Sequence, residues 1–212
     1  MPDALIPMTA DAVKEALAAP FAAGQALDLT GRQVTGALDL SGCTPCGFDL
    51  SGSTFEGPVR LDGAMFRGLT WFRHCKFLGS VSATGAVFAH DARFDGAAFS
   101  RDLTLSRAEA RGTLVLDNAV LEGDAWLDRM QILGSLSMAG TVFGAAVSLD
   151  ATEAYGGLWA DDTEFRARVS AAGMEVHGRN WLRGVRVAAP SAIGAPTQPL
   201  ARQIRSFGYI WG

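Results

Sequence analysis

Three cysteines in 212 residues are too few, and odd in number, for a disulfide framework. No run approaches the roughly 18 consecutive apolar residues of a membrane span. The N-terminus has no basic region leading into an apolar core, so no secretory signal is read and a cytoplasmic setting is the expectation. Charge is sparse and slightly negative, 18 basic against 22 acidic side chains, which disfavours direct nucleic-acid binding, since phosphates demand a basic face. Glycine-rich phosphate loops are absent because the glycines follow a different period. Cys43-Thr44-Pro45-Cys46 has CxxC spacing, but no second CxxC or His pair completes a zinc site. Cys43 and Cys75 share a repeat position with Ala64, Ala86, Ala97 and Ala108, which predicts small inward-facing side chains. His74, His90 and His177 fall at corner positions expected to be exposed, and none joins a nucleophile and an acid in a triad. The sequence therefore predicts no catalytic residue, cofactor or metal.

What is present is an eleven-residue period. Phe55, Phe66, Phe77, Phe88, Phe99, Ala110, Leu121, Ile132, Phe143, Ala154, Phe165, Val176 and Val187 form one register. Leu50, Leu61, Phe72, Ala83, Phe94, Leu105, Leu116, Leu127, Met138, Leu149, Ala160, Ala171 and Leu182 form a second. Self-similarity of this kind marks a repeat architecture. The Val-x-Leu and Ala-x-Phe units alternate as short strands do, with both apolar side chains on one face. Glycines recur at 52, 63, 85, 96, 140, 173 and 184, and again at 57, 68, 79, 112, 123, 134, 156 and 178. These are expected at corners that need positive φ or close backbone approach. Leu40 and Leu50 are ten residues apart, which predicts a bulge or kink at Pro45-Cys46-Gly47.

Outside the repeat, Thr9 is expected to cap a helix through Leu17 whose stripe of Val13, Leu17 and Phe21 covers the first coil. Residues 1–24 are thus a capping segment, 25–187 the repeat, and 188–212 a loop followed by a tail. In the tail, 199–207 could make two helical turns before Tyr209-Ile210-Trp211, either capping the last coil or forming a homodimer contact.

Apolar residues alternately five and six apart resemble the pentapeptide-repeat family, as do Leu38-Asp39-Leu40-Ser41-Gly42 and Phe48-Asp49-Leu50-Ser51-Gly52. The resemblance covers about residues 25 to 187. It implies an all-β solenoid, a right-handed quadrilateral β-helix, here with 22 residues per coil. Some members of that family look like double-stranded DNA in size and charge, and bind type II topoisomerases. The function implied is a binding rod that modulates gyrase or protects against a gyrase inhibitor, hence antibiotic resistance.

With 22 residues per coil, outward side chains form ladders. One runs Met65, Val87, Glu109, Gln131, Glu153, Glu175, with Asp128 and Asp150 close by. It predicts an acidic partner-binding stripe (Glu109, Asp128, Asp150, Glu153, Glu175), although Arg166, Arg168, Arg179, Arg183 and Arg186 crowd the C-terminal coils. A second ladder, Trp71, Arg93, Val115, Ser137, Trp159, Trp181, predicts neighbouring indoles. With Phe207, Tyr209 and Trp211 in the tail they form an aromatic interface candidate. The alternatives to a binding rod are a small-molecule enzyme with a pocket beside Trp159, Asn180 and Trp181, and a generic scaffold module.

Overall fold

Two-residue strands cannot stand alone, and the chain solves this by stacking each on its equivalent one coil away. The computed structural model describes residues 4–188 and 200–211, the side chains of Ile210 and Trp211 excepted. The loop expected at 188–199 lies almost wholly outside the described residues. Four parallel sheets form the four faces of a solenoid. In chain order, the first face runs from Ile6–Thr9 and Arg32–Thr35 through Thr54–Phe55 to Arg186–Val187, nine strands in all. The second holds seven, Leu38–Asp39 to Val169–Ser170, and the third seven, Met65–Phe66 to Arg205–Ser206. The fourth again has nine, from Leu27–Asp28 and Phe48–Asp49 to Ile210–Trp211. All-β architecture with a 22-residue coil is therefore the structure.

Both apolar registers point inward. Phe55, Phe77 and Phe99 stack at 5.0 and 4.8 Å, Phe66 on Phe88 at 5.0 Å, and Phe72 on Phe94 at 5.3 Å. These separations are close to the rung spacing of paired strands, about 4.8 Å, so the rings are stacked by the backbone that carries them. The small inward row also supplies hydrogen bonds. Thr141, Thr152 and Thr163 are buried and donate to the carbonyls of Leu116, Leu127 and Met138 at 2.6–2.7 Å. Cys75 occupies the same row, donates to the Leu50 carbonyl at 3.1 Å, and has its thiol pushed up to about 12 by burial.

The two glycine rows have different causes. Positions 52 to 184, taken in steps of eleven, all lie at positive φ, with His74, Arg107, Asn118, Arg129, Ala151 and Asp162 standing where the row lacks glycine. The other row is set by crowding. A Cβ at Gly57, Gly79, Gly134 or Gly178 would come within 2.2–2.5 Å of backbone on the preceding coil.

The ten-residue spacing shortens the first coil. Leu27 pairs with Phe48 and Leu38 with Val59, 21 residues on, whereas Phe48 pairs with Thr70, 22 on. Thr9 caps helix α1 (Ala10–Leu17), accepting from the Ala12 amide at 3.2 Å, and Val13 and Leu17 are buried. Phe21 does not join that stripe. It stays partly exposed beneath the Arg67 guanidinium, 5.7 Å from its centroid. Ile6–Thr9, not expected as a strand, adds a rung beside Arg32–Thr35. At the other end, helix α2 (Leu200–Gln203) is a single turn, not two. The chain then adds Arg205–Ser206 to the third face and Ile210–Trp211 to the fourth, so the tail closes the last coil as further rungs.

Candidate functional site

The ladder of the third face has the expected register: Met65, Val87, Glu109, Gln131, Glu153 and Glu175 are successive partners, and Arg205 follows. Its carboxylates have local partners. Arg111 donates to Glu109 at 2.7 Å, the Tyr155 hydroxyl to Glu153 at 2.8 Å, and Arg205 to Glu175 at 2.9 Å. The hydrogen bond to Glu153 holds the Tyr155 phenol above its ordinary range.

Asp128 and Asp150 do structural work. The Ser106 hydroxyl donates to Asp128 at 2.6 Å; the Ser170 hydroxyl and the Ala172 amide donate to Asp150 at 2.6 and 2.7 Å. Asp150 belongs to a wider pattern. Asp62, Asp91, Asp102, Asp117, Asp124, Asp150 and Asp161 each accept the backbone N–H of the residue 22 positions later, at 2.7–3.0 Å. A buried exception is Asp95, held between Arg73 and Arg93 at 2.9 and 2.8 Å. Burial pushes its carboxyl up, but the two guanidiniums outweigh that and hold it below the usual carboxylate range.

Trp159 and Trp181 are stacked neighbours, 5.3 Å between centroids. A second column was not read from the sequence: Tyr155, His177 and Phe207 stack at 4.6 and 4.7 Å, with Arg205 4.9 Å over Phe207. His177 is therefore half-buried between rings and is not an exposed corner residue. The signal was the 22-residue step from Tyr155 to His177; Phe207 escapes it because it lies 30 residues on. Phe207 and Tyr209 are well exposed, at 53% and 78%, while the Trp211 side chain lies outside the described residues.

Asn180 is turned into the core, away from the indole face. Its Nδ2 donates to Ser206 Oγ at 2.6 Å, and Oδ1 finds no donor among the described residues. The tail supplies the rung that follows Asn180 and Trp181.

Charge is segregated along the axis. Residues 1–163 contain 20 acidic and 11 basic side chains; residues 164–212 contain two and seven. Among the described residues, Arg168, Arg179, Arg183 and Arg202 form no ion pair and are exposed. The described residues contain no group of three or more His, Cys, Asp or Glu placed to hold a metal ion. The three cysteines are free.

Searches of curated proteins and of solved structures returned no match. The family model of pentapeptide repeats matches residues 61–109 in nine copies. Residues 61–109 are thus pentapeptide repeats, and the rungs on both sides of that stretch keep its register from Phe48 to Val187, with a sixth residue in every second unit.

Proposed function

We propose that this solenoid is a non-catalytic binding rod, and that its acidic body receives a basic macromolecular surface. The observation that carries the reading is the row of aspartates locked to the next coil. Each accepts a backbone N–H of the next coil, so the position of its carboxylate is set by the backbone. A partner then meets negative charges already ordered, without the entropic cost of fixing loose side chains. The most specific form of this reading is a DNA-like rod that engages a type II topoisomerase and so modulates gyrase or protects against its inhibitor. The segregated charge supports it for residues before about 163 and assigns the arginine-rich end to some other contact. The exposed Phe207 and Tyr209 would serve there if two copies meet through the tail.

The test is capture of purified gyrase by the rod at two salt concentrations, with a supercoiling assay alongside. Reversal at Glu109, Glu122 and Glu153 to lysine removes charge without touching a cross-coil aspartate. The expected outcome is salt-sensitive binding that the triple variant loses while its melting temperature is kept. Absence of wild-type binding would remove gyrase as the partner. Unchanged binding by the triple variant would remove these glutamates from the contact.

A further inference from the structure

The outward ladder of the fourth face changes size along its length. Trp71, Arg93, Val115, Ser137, Trp159 and Trp181 are successive partners, so two short side chains lie between an arginine and a pair of indoles. Above Val115 and Ser137 lies a trough of ≈ 360 Å³, closed at one end by Arg93 and at the other by Trp159. Trp181 covers one face of Trp159, and the opposite face looks along the axis into the trough over Ser137. The walls are polar. Asp91, Thr113 and Ser135 stand on the side where the chain enters the face, and Asp117 on the side where it leaves.

We propose that this trough is a carbohydrate site, taking a neutral pyranoside or short oligosaccharide with one ring stacked on Trp159. Three features select that class. A sugar offers an apolar C–H face to the open indole face, in the place that a tryptophan at position 137 would fill in the stack. The flanking carboxylates are fixed acceptors: Asp91 Oδ1 already takes the Thr113 amide at 2.7 Å, and Asp117 Oδ1 takes Ser137 Oγ and the Ala139 amide at 2.6 and 2.9 Å. In each, Oδ2 remains to accept a sugar hydroxyl, a charge-assisted bond of the stronger kind. Two carboxylates also disfavour phosphates and other anions. At the far end the Arg93 guanidinium, oriented by its bond to Asp95 at 2.8 Å, can donate to ring or hydroxyl oxygens and disfavours a cationic ligand. Arg93 and Trp159 are three rungs apart, about 14 Å, which suits a short oligosaccharide better than a single ring.

This site lies on a different face from the Glu109–Glu175 ladder, and it stands or falls independently of the topoisomerase reading. The experiment is a titration of the full chain with maltohexaose, cellohexaose, laminarihexaose and chitohexaose, followed by intrinsic tryptophan fluorescence and by calorimetry. Tryptamine serves as a cationic aromatic control and glucose 6-phosphate as an anionic one. At least one neutral oligosaccharide is expected to bind with a millimolar or tighter Kd. Ser137→Trp, which fills the trough with a side chain able to continue the stack, should abolish binding while the rod stays folded, its melting temperature moving only by the few degrees that loss of the Ser137 hydroxyl bond to Asp117 costs. Trp159→Ala should weaken it by about two- to tenfold, the range of a single aromatic contact. The proposal is overturned if none of the four oligosaccharides binds, if only a charged control binds, or if Ser137→Trp binds as the wild type does.

Discussion

Gly79 and Gly85 lie six residues apart on one coil and belong to the two different glycine rows, so replacing each with alanine separates crowding from backbone strain. At Gly85, φ is +64° and a Cβ would meet nothing within 4 Å. Alanine there costs about 1–2 kcal/mol for the left-handed conformation. About 0.5–1 kcal/mol is returned because the unfolded chain loses glycine's freedom. The net is about 0.5–1 kcal/mol. At Gly79 the Cβ would sit 2.5 Å from Pro58 N and 2.6 Å from Gly57 C, against an ordinary carbon contact of about 3.5–4.0 Å. Neither neighbour is a flexible side chain, so relief requires the two coils to part by about 1 Å. The flanking rung bonds, Leu78 N–H to Phe55 and Val59 N–H to Ser80, both 2.9 Å, would then lengthen. Overpacking of about 1–3 kcal/mol plus one weakened hydrogen bond of about 0.5–1.5 kcal/mol gives about 2–3 kcal/mol after the same entropic return. For a chain of this length that is a fall of about 4–12 °C in Tm, against about 1–4 °C for Gly85→Ala. Reversible urea melts followed by far-ultraviolet circular dichroism measure both. Equal destabilisation of the two variants would refute the division of the rows.

Ala151 stands at φ 54° where the row otherwise favours glycine, so Ala151→Gly should raise stability by about 0.5–1 kcal/mol in the same melts. Asp95, depressed by Arg73 and Arg93, contributes stability that is present above its unfolded pKa of about 3.9 and is lost as pH falls through the lower folded value. Asp95→Asn should therefore destabilise the rod at neutral pH, by about 1–2 kcal/mol given the partly exposed arginines, and flatten the acid limb of a pH–stability profile. Burial raises the Cys46 and Cys75 thiols, while Cys43 is half-exposed, so a maleimide should label Cys43 first in the native protein and all three after denaturation, as read by mass spectrometry.

The solenoid was legible because its register is a side-chain pattern: every Phe and Leu of the two series is buried, the first series inside the short strands and the second directly after them. Thr9 was legible as a cap for the same reason, being a residue type at a fixed offset. The terminal rungs were not. Ile6–Thr9 lies outside the eleven-residue register and contains a proline, which is tolerated because the strand sits at the outer edge of its sheet. Arg205–Ser206 and Ile210–Trp211 pair with residues 30 positions back, so the connecting segment hides them from any 22-residue step. The trough between Arg93 and Trp159 was within reach, since Val115 and Ser137 already stood in the ladder, but a gap is invisible when only large or charged members are sought.

The acidity of the chain divides along chemical lines that composition alone does not show. Among the described residues, the seven carboxylates that accept a backbone N–H from the next coil are all aspartates. A one-carbon side chain reaches the amide one rung away, at about 4.8 Å, with little freedom left over. Glutamate, one methylene longer, reaches past that amide to other side chains, as Glu109 does to Arg111, Glu164 to Arg166 and Glu175 to Arg205. The aspartates are thus part of the coil-to-coil bonding and carry their charge as a consequence of holding the rod together. The glutamates can change without unfolding it. Selection for a partner would act first on glutamates and on outward members of the fourth-face ladder such as Trp159, which bonds to no cross-coil aspartate. Lysine at Asp150 would leave the Ala172 amide and the Ser170 hydroxyl without their acceptor and should destabilise the rod by about 1–3 kcal/mol, whereas lysine at Glu153 should change melting by less than about 0.5 kcal/mol. Equal losses at the two positions would show that both acids serve the same purpose.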